Sequence, residues 1–181
     1  MAAAATIYTF DIELSDVDRG VYETLALRVA RHASETEEFL VTRVLAYCLE
    51  YTEGIGFSNG LAEPDEPALA IRDLTGALRV WIDIGAPDAA RLHRASKAAA
   101  RVAVYTHKDP ERLIREWSGE RIHRAAELEL YSFDSALLAE FTSRLARRLA
   151  FALSVASEHL YITINGDLLE GSVERHAIPR N

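Results

Sequence analysis

DEPALAIRDLTGALRVWIDIGAPDAARLHRASK, residues 65–97, is the stretch whose reading decides the fold. Asp65 and Glu66 lie between Pro64 and Pro67, which deny helix and impose an extended or turn segment. Ala68 to Asp73 and Ala77 to Ile84 read as two strands, joined by the turn Leu74-Thr75-Gly76. That hairpin carries Asp83 to a strand end, where Gly85 and Pro87 break the pattern. Asp88 is then a good N-cap for a helix from about Ala89 to Ala103. Hairpin, helix and a following strand at Arg101 to Thr106 imply a mixed sheet with at least one parallel crossover.

Outward from this stretch, Thr6 to Leu14 and Tyr22 to Arg31 alternate as an antiparallel strand pair, with helix the competing reading for the second. Ser34-Glu35-Thr36-Glu37 has the pattern of a capping box opening a helix from Glu35 to Tyr51. Gly54, Gly56 and Gly60 read as turns around a short extended piece at Phe57. Their spacing misses the dinucleotide fingerprint by one residue. Asp109-Pro110 opens a short helix to about Trp117, ended by Gly119. Leu128 to Phe133 is a strand, and Asp134 or Ser135 caps a helix from Ala136 to about Ala146. Leu149 to Ala156 and Tyr161 to Ile164 are strand-like, with a hairpin signal at Asn165-Gly166. The tail from Ser172 to Asn181 is polar and is expected to fray. No repeat or linker divides the chain, so residues 1–181 read as one domain, an α/β protein with a central mixed sheet flanked by helices.

The 181 residues carry a net charge of −8 with a pI near 5.3, which opposes tight non-specific binding of nucleic acid through a diffuse positive field. Local basic patches remain compatible with that count. The one cysteine, Cys48, excludes an internal disulfide and multi-Cys zinc patterns, and points to a reducing, cytoplasmic setting. No signal-peptide pattern and no membrane-spanning run is read. No P-loop, GxSxG elbow or HExxH spacing appears, which argues against P-loop nucleotide hydrolysis and the common serine and zinc hydrolases. Trp81 and Trp117 read as packing residues, and the six histidines as ordinary surface or half-buried groups.

Two constellations carry chemistry. Asp65 or Glu66 with Asp83, helped by Glu35 or Glu38, offers carboxylate oxygens to Mg²⁺ or Mn²⁺, which would polarise a phosphodiester and lower the pKa of an attacking water. Glu35 to Glu38 are equally well explained as acids at a helix start. On the helix after Asp88, Arg91, Arg94, Lys97 and Arg101 recur along one side, with Leu92, Ala95, Ala99 and Ala103 on the other. That stripe is either a phosphate-contacting face or a solvated one.

The chain resembles the YaeQ family through Ala30-Arg31-His32-Ala33-Ser34-Glu35-Thr36, Leu45-Ala46-Tyr47, Phe57, Gly60-Leu61, Asp65-Glu66-Pro67, Asp73-Leu74-Thr75-Gly76, Trp81-Ile82-Asp83-Ile84-Gly85, Pro87-Asp88 and Arg94-Ala95-Ser96. The resemblance spans nearly the whole length and is weakest after Tyr105. It implies a variant of the PD-(D/E)XK nuclease fold, with Asp65 as the first acid, Glu66 an auxiliary, Asp83 the second acid, and Glu35 or Glu38 the acid supplied by the first helix. The motif lysine would stand two residues after Asp83, where this chain has Gly85. Lys97 or Arg94 on the next helix is then the cation that would reach the same space, as migrated lysines do in some members of the superfamily, with Arg94 the poorer substitute because a guanidinium cannot exchange a proton. The implied function is a metal-dependent nuclease-like phosphodiesterase, and the alternative is a catalytically inactive module that binds nucleic acid or a regulatory protein partner. Fold alone does not choose between them.

Overall fold

The computed structural model describes residues 4–58 and 65–179, so Gly60, Leu61 and Pro64 of the sequence reading lie outside the described residues. Among those described, ten strands and four α-helices make a mixed α+β protein. The chain divides into two compact units, one of residues 1–41 and 133–174, the other of residues 42–132 and 175–181. No helix is long and apolar enough to cross a membrane among the described residues.

In the first unit, β1 (Thr6–Asp16) and β2 (Val21–Arg31) form an antiparallel pair through all eleven positions. Alternation of buried and exposed residues along both strands excludes the helical reading of Tyr22 to Arg31. The later strands of this unit, numbered in chain order, are β8 (Arg148–Ala156), β9 (His159–Ile164) and β10 (Asp167–His176). β8 runs parallel to β1, and β9 and β10 continue antiparallel from it. Phe10, Phe141 and Phe151 meet edge to face in the core, with centroids 6.4 and 5.1 Å from the central Phe151. Phe141 comes from α4 (Ser135–Ser143), whose N-cap Asp134 accepts from Ala136 and Leu137. The tail differs from its sequence reading: Ser172 to His176 extend β10, because their backbone continues a strand that the Asn165-Gly166 turn has already aligned.

α1 (Glu37–Leu49) leads into the second unit. It starts two residues later than its capping-box pattern suggests, since the oxygen that accepts from the first turn is Thr36 Oγ1, 3.1 Å from the Phe39 nitrogen. The second unit's sheet has the order β7-β6-β5-β4-β3, built from β3 (Ile55–Phe57), β4 (Leu69–Arg72), β5 (Leu78–Ile84), β6 (Arg101–Thr106) and β7 (Glu129–Phe133). β3, β4 and β5 are antiparallel, whereas β5, β6 and β7 are parallel. The crossovers are α2 (Ala89–Ala98) and α3 (Pro110–Trp117), capped by Asp88 and Asp109 as read from the sequence. α2 ends earlier than expected. Ala99 is extended at φ −133°, so Arg101 and Ala103 leave the helix face and enter β6.

Candidate functional site

Side chains on a strand alternate between faces, and this sorts the second unit's polar residues into two separate places. Trp81 and Asp83 share one face of β5, paired in register with Val102 and Val104 of β6. α2 and α3 cover that face: Leu92, Ala95, Ala99, Leu113 and Trp117 pack with Trp81, Val102, Val104 and Leu130. Asp83 is therefore delivered beneath a helix, and only 2% of its side chain is exposed. A lone carboxylate there would be costly, and Arg91 of α2 answers it. The guanidinium Nε donates to Oδ2 and Nη2 to Oδ1, both at 2.8 Å, the two-point geometry that makes such pairs strong. Nη2 also donates to the backbone carbonyl of Glu66 at 2.7 Å, and the guanidinium carbon lies 5.3 Å from the Trp81 ring centre.

The remaining sequence candidates fall around this pair unevenly. Asp65 is 83% exposed and meets Arg94 Nε at 3.7 Å. Glu66 reaches Arg91 through its carbonyl, not its carboxylate. Lys97 is exposed on the outer side of α2. Glu35, buried, and Glu38, exposed, belong to the first unit. Among the described residues no three His, Cys, Asp or Glu side chains gather in a way that could hold a metal ion. Arg91 joins the Asp83 carboxylate to the backbone of the Asp65-Glu66 segment.

Position 85, where the resemblance would expect a lysine, is a glycine at positive φ. Its φ of +86° is a left-handed conformation that an L side chain adopts only under strain, and its N–H donates to the Tyr105 carbonyl at 2.9 Å, tying the end of β5 to β6.

The opposite face of the same sheet carries a constellation the sequence reading did not assemble. Arg101 and Tyr105 project from β6, Glu129 and Tyr131 from β7, and Glu50 follows α1. Arg101 donates to both oxygens of Glu50 at 2.7 and 2.8 Å and to both of Glu129 at 2.5 and 3.1 Å. Tyr105 donates to Glu50 at 2.8 Å and Tyr131 to Glu129 at 2.6 Å, while the two rings stack with centroids 4.8 Å apart. Burial works against the Arg101 charge, yet the two carboxylates hold it firmly protonated. Burial also pushes Glu129 up, but the Arg101 and Tyr131 hydrogen bonds outweigh it, and the carboxyl sits below its ordinary value. Burial and the Glu129 hydrogen bond push Tyr131 up to about 12, and burial with the Glu50 charge raises Tyr105 well above 10. Every group is paired, so the cluster clamps β6, β7 and the end of α1 and leaves no oxygen set open. The signal in the sequence was faint: Arg101-x-x-x-Tyr105 and Glu129-x-Tyr131 at strand period two become informative only when β6 and β7 are known to be neighbours.

The sequence model of the YaeQ protein family matches residues 1–172 of the chain. The chain is 29% identical over 173 residues to the uncharacterized protein YaeQ of Escherichia coli K12, covering 94% of each, and 28% identical over 166 residues to that of Salmonella typhi, covering 90% and 91%. Among solved structures, the YaeQ protein from Xanthomonas axonopodis pv. citri superposes with a TM-score of 0.85 at 28% identity, covering 97% of this chain and 100% of that one. The YaeQ protein from Pseudomonas syringae gives 0.84 at 27% identity, covering 94% and 95%.

Proposed function

The chain belongs to the YaeQ family, and on that premise we propose that it is a binding module on a variant PD-(D/E)XK nuclease-like fold, one that engages a phosphate-bearing partner such as nucleic acid without cleaving it. The observation that carries this reading is the Asp83–Arg91 pair. A metal-dependent nuclease needs the second acid's oxygens free for Mg²⁺ or Mn²⁺, and here both accept from an internal guanidinium under a helix. Displacing Arg91 would strand its charge and also break its bond to the Glu66 carbonyl. Gly85 supports the same conclusion, because its backbone conformation bars the motif lysine.

One observation favours the enzymatic alternative. Arg91 already joins Asp83 to the Asp65-Glu66 segment, so a swing of that single side chain would leave two acidic positions facing each other beside Arg94. In that form Asp65, Glu66 and Asp83 would hold Mg²⁺ or Mn²⁺, and Arg94, which already meets Asp65, would contact the phosphate, whereas Lys97 lies on the outer side of α2.

Calorimetric titration with Mn²⁺ separates the two. The binding-module reading expects no saturable heat at millimolar metal for the parent or for Asp83→Asn. Saturable binding to the parent that disappears in Asp65→Asn and Asp83→Asn would instead establish the metal centre and overturn the reading.

A further inference from the structure

α2 presents a second surface, away from Asp83, where cations gather with no acid paired to them among the described residues, Arg124 aside. His93 and Lys97 stand one helical turn apart on its outer side, and the loop after α3 sets the His123 ring edge-on to that of His93, centroids 6.5 Å apart, with Arg121 two residues before it in the same loop and near enough to act on His93. Hydrogen bonds from His123 and Arg124 fix the loop there. The His123 N–H donates to His93 Nδ1 at 3.0 Å, and Arg124 donates to the Ser96 and Ala99 carbonyls at 2.5 and 2.9 Å, closing the end of α2. Arg124 is thereby spent as a cap, with Glu127 at 3.3 Å for its charge. Lys97 and Arg121 pair with no acid among the described residues, and both are exposed, as is His123.

Among the described residues, the charges that shift His93 are cationic. Partial burial lowers its pKa first, and Lys97, Arg121 and His123 lower it further. Because Nδ1 accepts from a backbone N–H, the neutral ring carries its proton on Nε2, which is left as a donor. In a chain of net charge −8, this concentration of like charge is unfavourable for the isolated protein and is relieved when an anion joins it.

We propose that His93, Lys97, Arg121 and His123 form a binding site for a phosphate monoester. The chemistry matches four ways: a guanidinium fork, an ammonium, an Nε2–H donor and a second imidazole can meet the three acceptor oxygens of a group carrying close to two negative charges. A phosphodiester, with one charge, uses the site less fully. A chain of net charge −8 is poorly suited to holding a long tract of phosphate backbone, so one phosphate is the ligand this cluster fits. The source is then either a free phosphorylated small molecule or the phosphorylated end of a nucleic-acid strand. The strand-end case rests on the binding-module reading, and the free-phosphate case does not.

The test follows the imidazole resonances of His93 and His123 by NMR during titration with inorganic phosphate, and the anisotropy of a short labelled single strand bearing a 5′-phosphate or a 5′-hydroxyl. Expected are saturable shifts of both rings and a loss of affinity of about tenfold or more in Lys97→Gln/Arg121→Gln, two exposed positions that leave the packing of α2 unchanged. Tighter binding of the 5′-phosphate strand than of inorganic phosphate identifies a strand end, and equal affinity identifies a small phosphorylated molecule. Absence of ring shifts at tens of millimolar phosphate, or shifts that persist undiminished in the double variant, would overturn the site. Mn²⁺-dependent cleavage of the strand with the ring shifts retained would overturn the module reading and leave the phosphate site standing.

Discussion

Asp83 is buried under α2 with one arginine meeting both of its oxygens, so the pair has to be judged as a unit. Removing one partner leaves an uncompensated charge in a packed layer, which costs about 3 kcal/mol or more, while replacing both with apolar groups of similar size is far milder. Arg91→Met alone is therefore expected to lower urea-unfolding stability by about 3 kcal/mol, and Asp83→Leu/Arg91→Met to recover more than half of that loss. Equal losses in the single and double variants would show that the cost comes from Arg91's other contacts, to the Glu66 carbonyl and the Trp81 ring, and not from a stranded Asp83 charge. Tyr131 allows a pH test on the other face. Its folded pKa of about 12 exceeds the ordinary 10, so the folded state holds the phenol proton more tightly. The stabilisation is complete below pH 10 and is lost as pH rises from 10 through about 12. Tyr131→Phe should be less stable at neutral pH by roughly 1.5 kcal/mol, through loss of a hydrogen bond to a carboxylate, and should show a shallower alkaline decline. Tyr105, also raised, keeps part of that decline in the variant. Parallel alkaline curves for variant and parent would rule the assignment out.

At the scale of elements, local signals carried the strands and caps. Asp88, Asp109 and Asp134 each cap the helix expected of them, and the Ala68–Ile84 hairpin turns at Leu74-Thr75-Gly76. What the chain did not disclose locally was how far α2 runs, since Ala98-Ala99-Ala100 suits helix and the strand that ends it is set by pairing with β5 and β7. The candidate site was legible to the same depth. Asp83 could be placed at a strand end, but whether it faces a cleft or the underside of α2 depends on strand alternation fixed by tertiary pairing. Gly54 is a case where local reading was right for a reason it could not supply. The sequence places a turn there, and Gly54 does have φ +90°, but a Cβ at this position would also lie 2.1 Å from the Arg72 carbonyl oxygen. Its own carbonyl accepts from the Arg72 N–H at 3.0 Å, so the β3–β4 end closes on this residue. Gly54→Ala should cost at least about 2 kcal/mol, from the left-handed conformation and the steric overlap together, whereas Gly56→Ala, with open space at its Cβ, should cost about 1 kcal/mol or less. Thermal unfolding of the two variants side by side checks the contrast, and equal midpoints would contradict it.

For the whole molecule, the question is whether native stability is linked to a divalent cation at all. Any ligand that binds only the folded state stabilises it by an amount set by its concentration over its dissociation constant, about 2.7 kcal/mol at a hundredfold excess. For a chain of this length that corresponds to a rise in melting temperature of roughly 5–10 °C. A chain of net charge −8 attracts Mn²⁺ diffusely, but diffuse attraction is screened by salt and saturates nowhere, so it moves the midpoint little. With Arg91 seated on Asp83, millimolar Mn²⁺ in moderate salt should shift the parent's midpoint by less than about 1 °C, and chelator should leave it unchanged. Arg91→Ala sharpens the measurement. If Asp65, Glu66 and Asp83 can converge on a cation, removing the arginine uncovers them, and this variant alone should gain several degrees with Mn²⁺. A gain in the parent as well would mean that the arginine yields to metal in the native protein, and the Asp83 position would then have to be read as a metal centre closed by its own side chain.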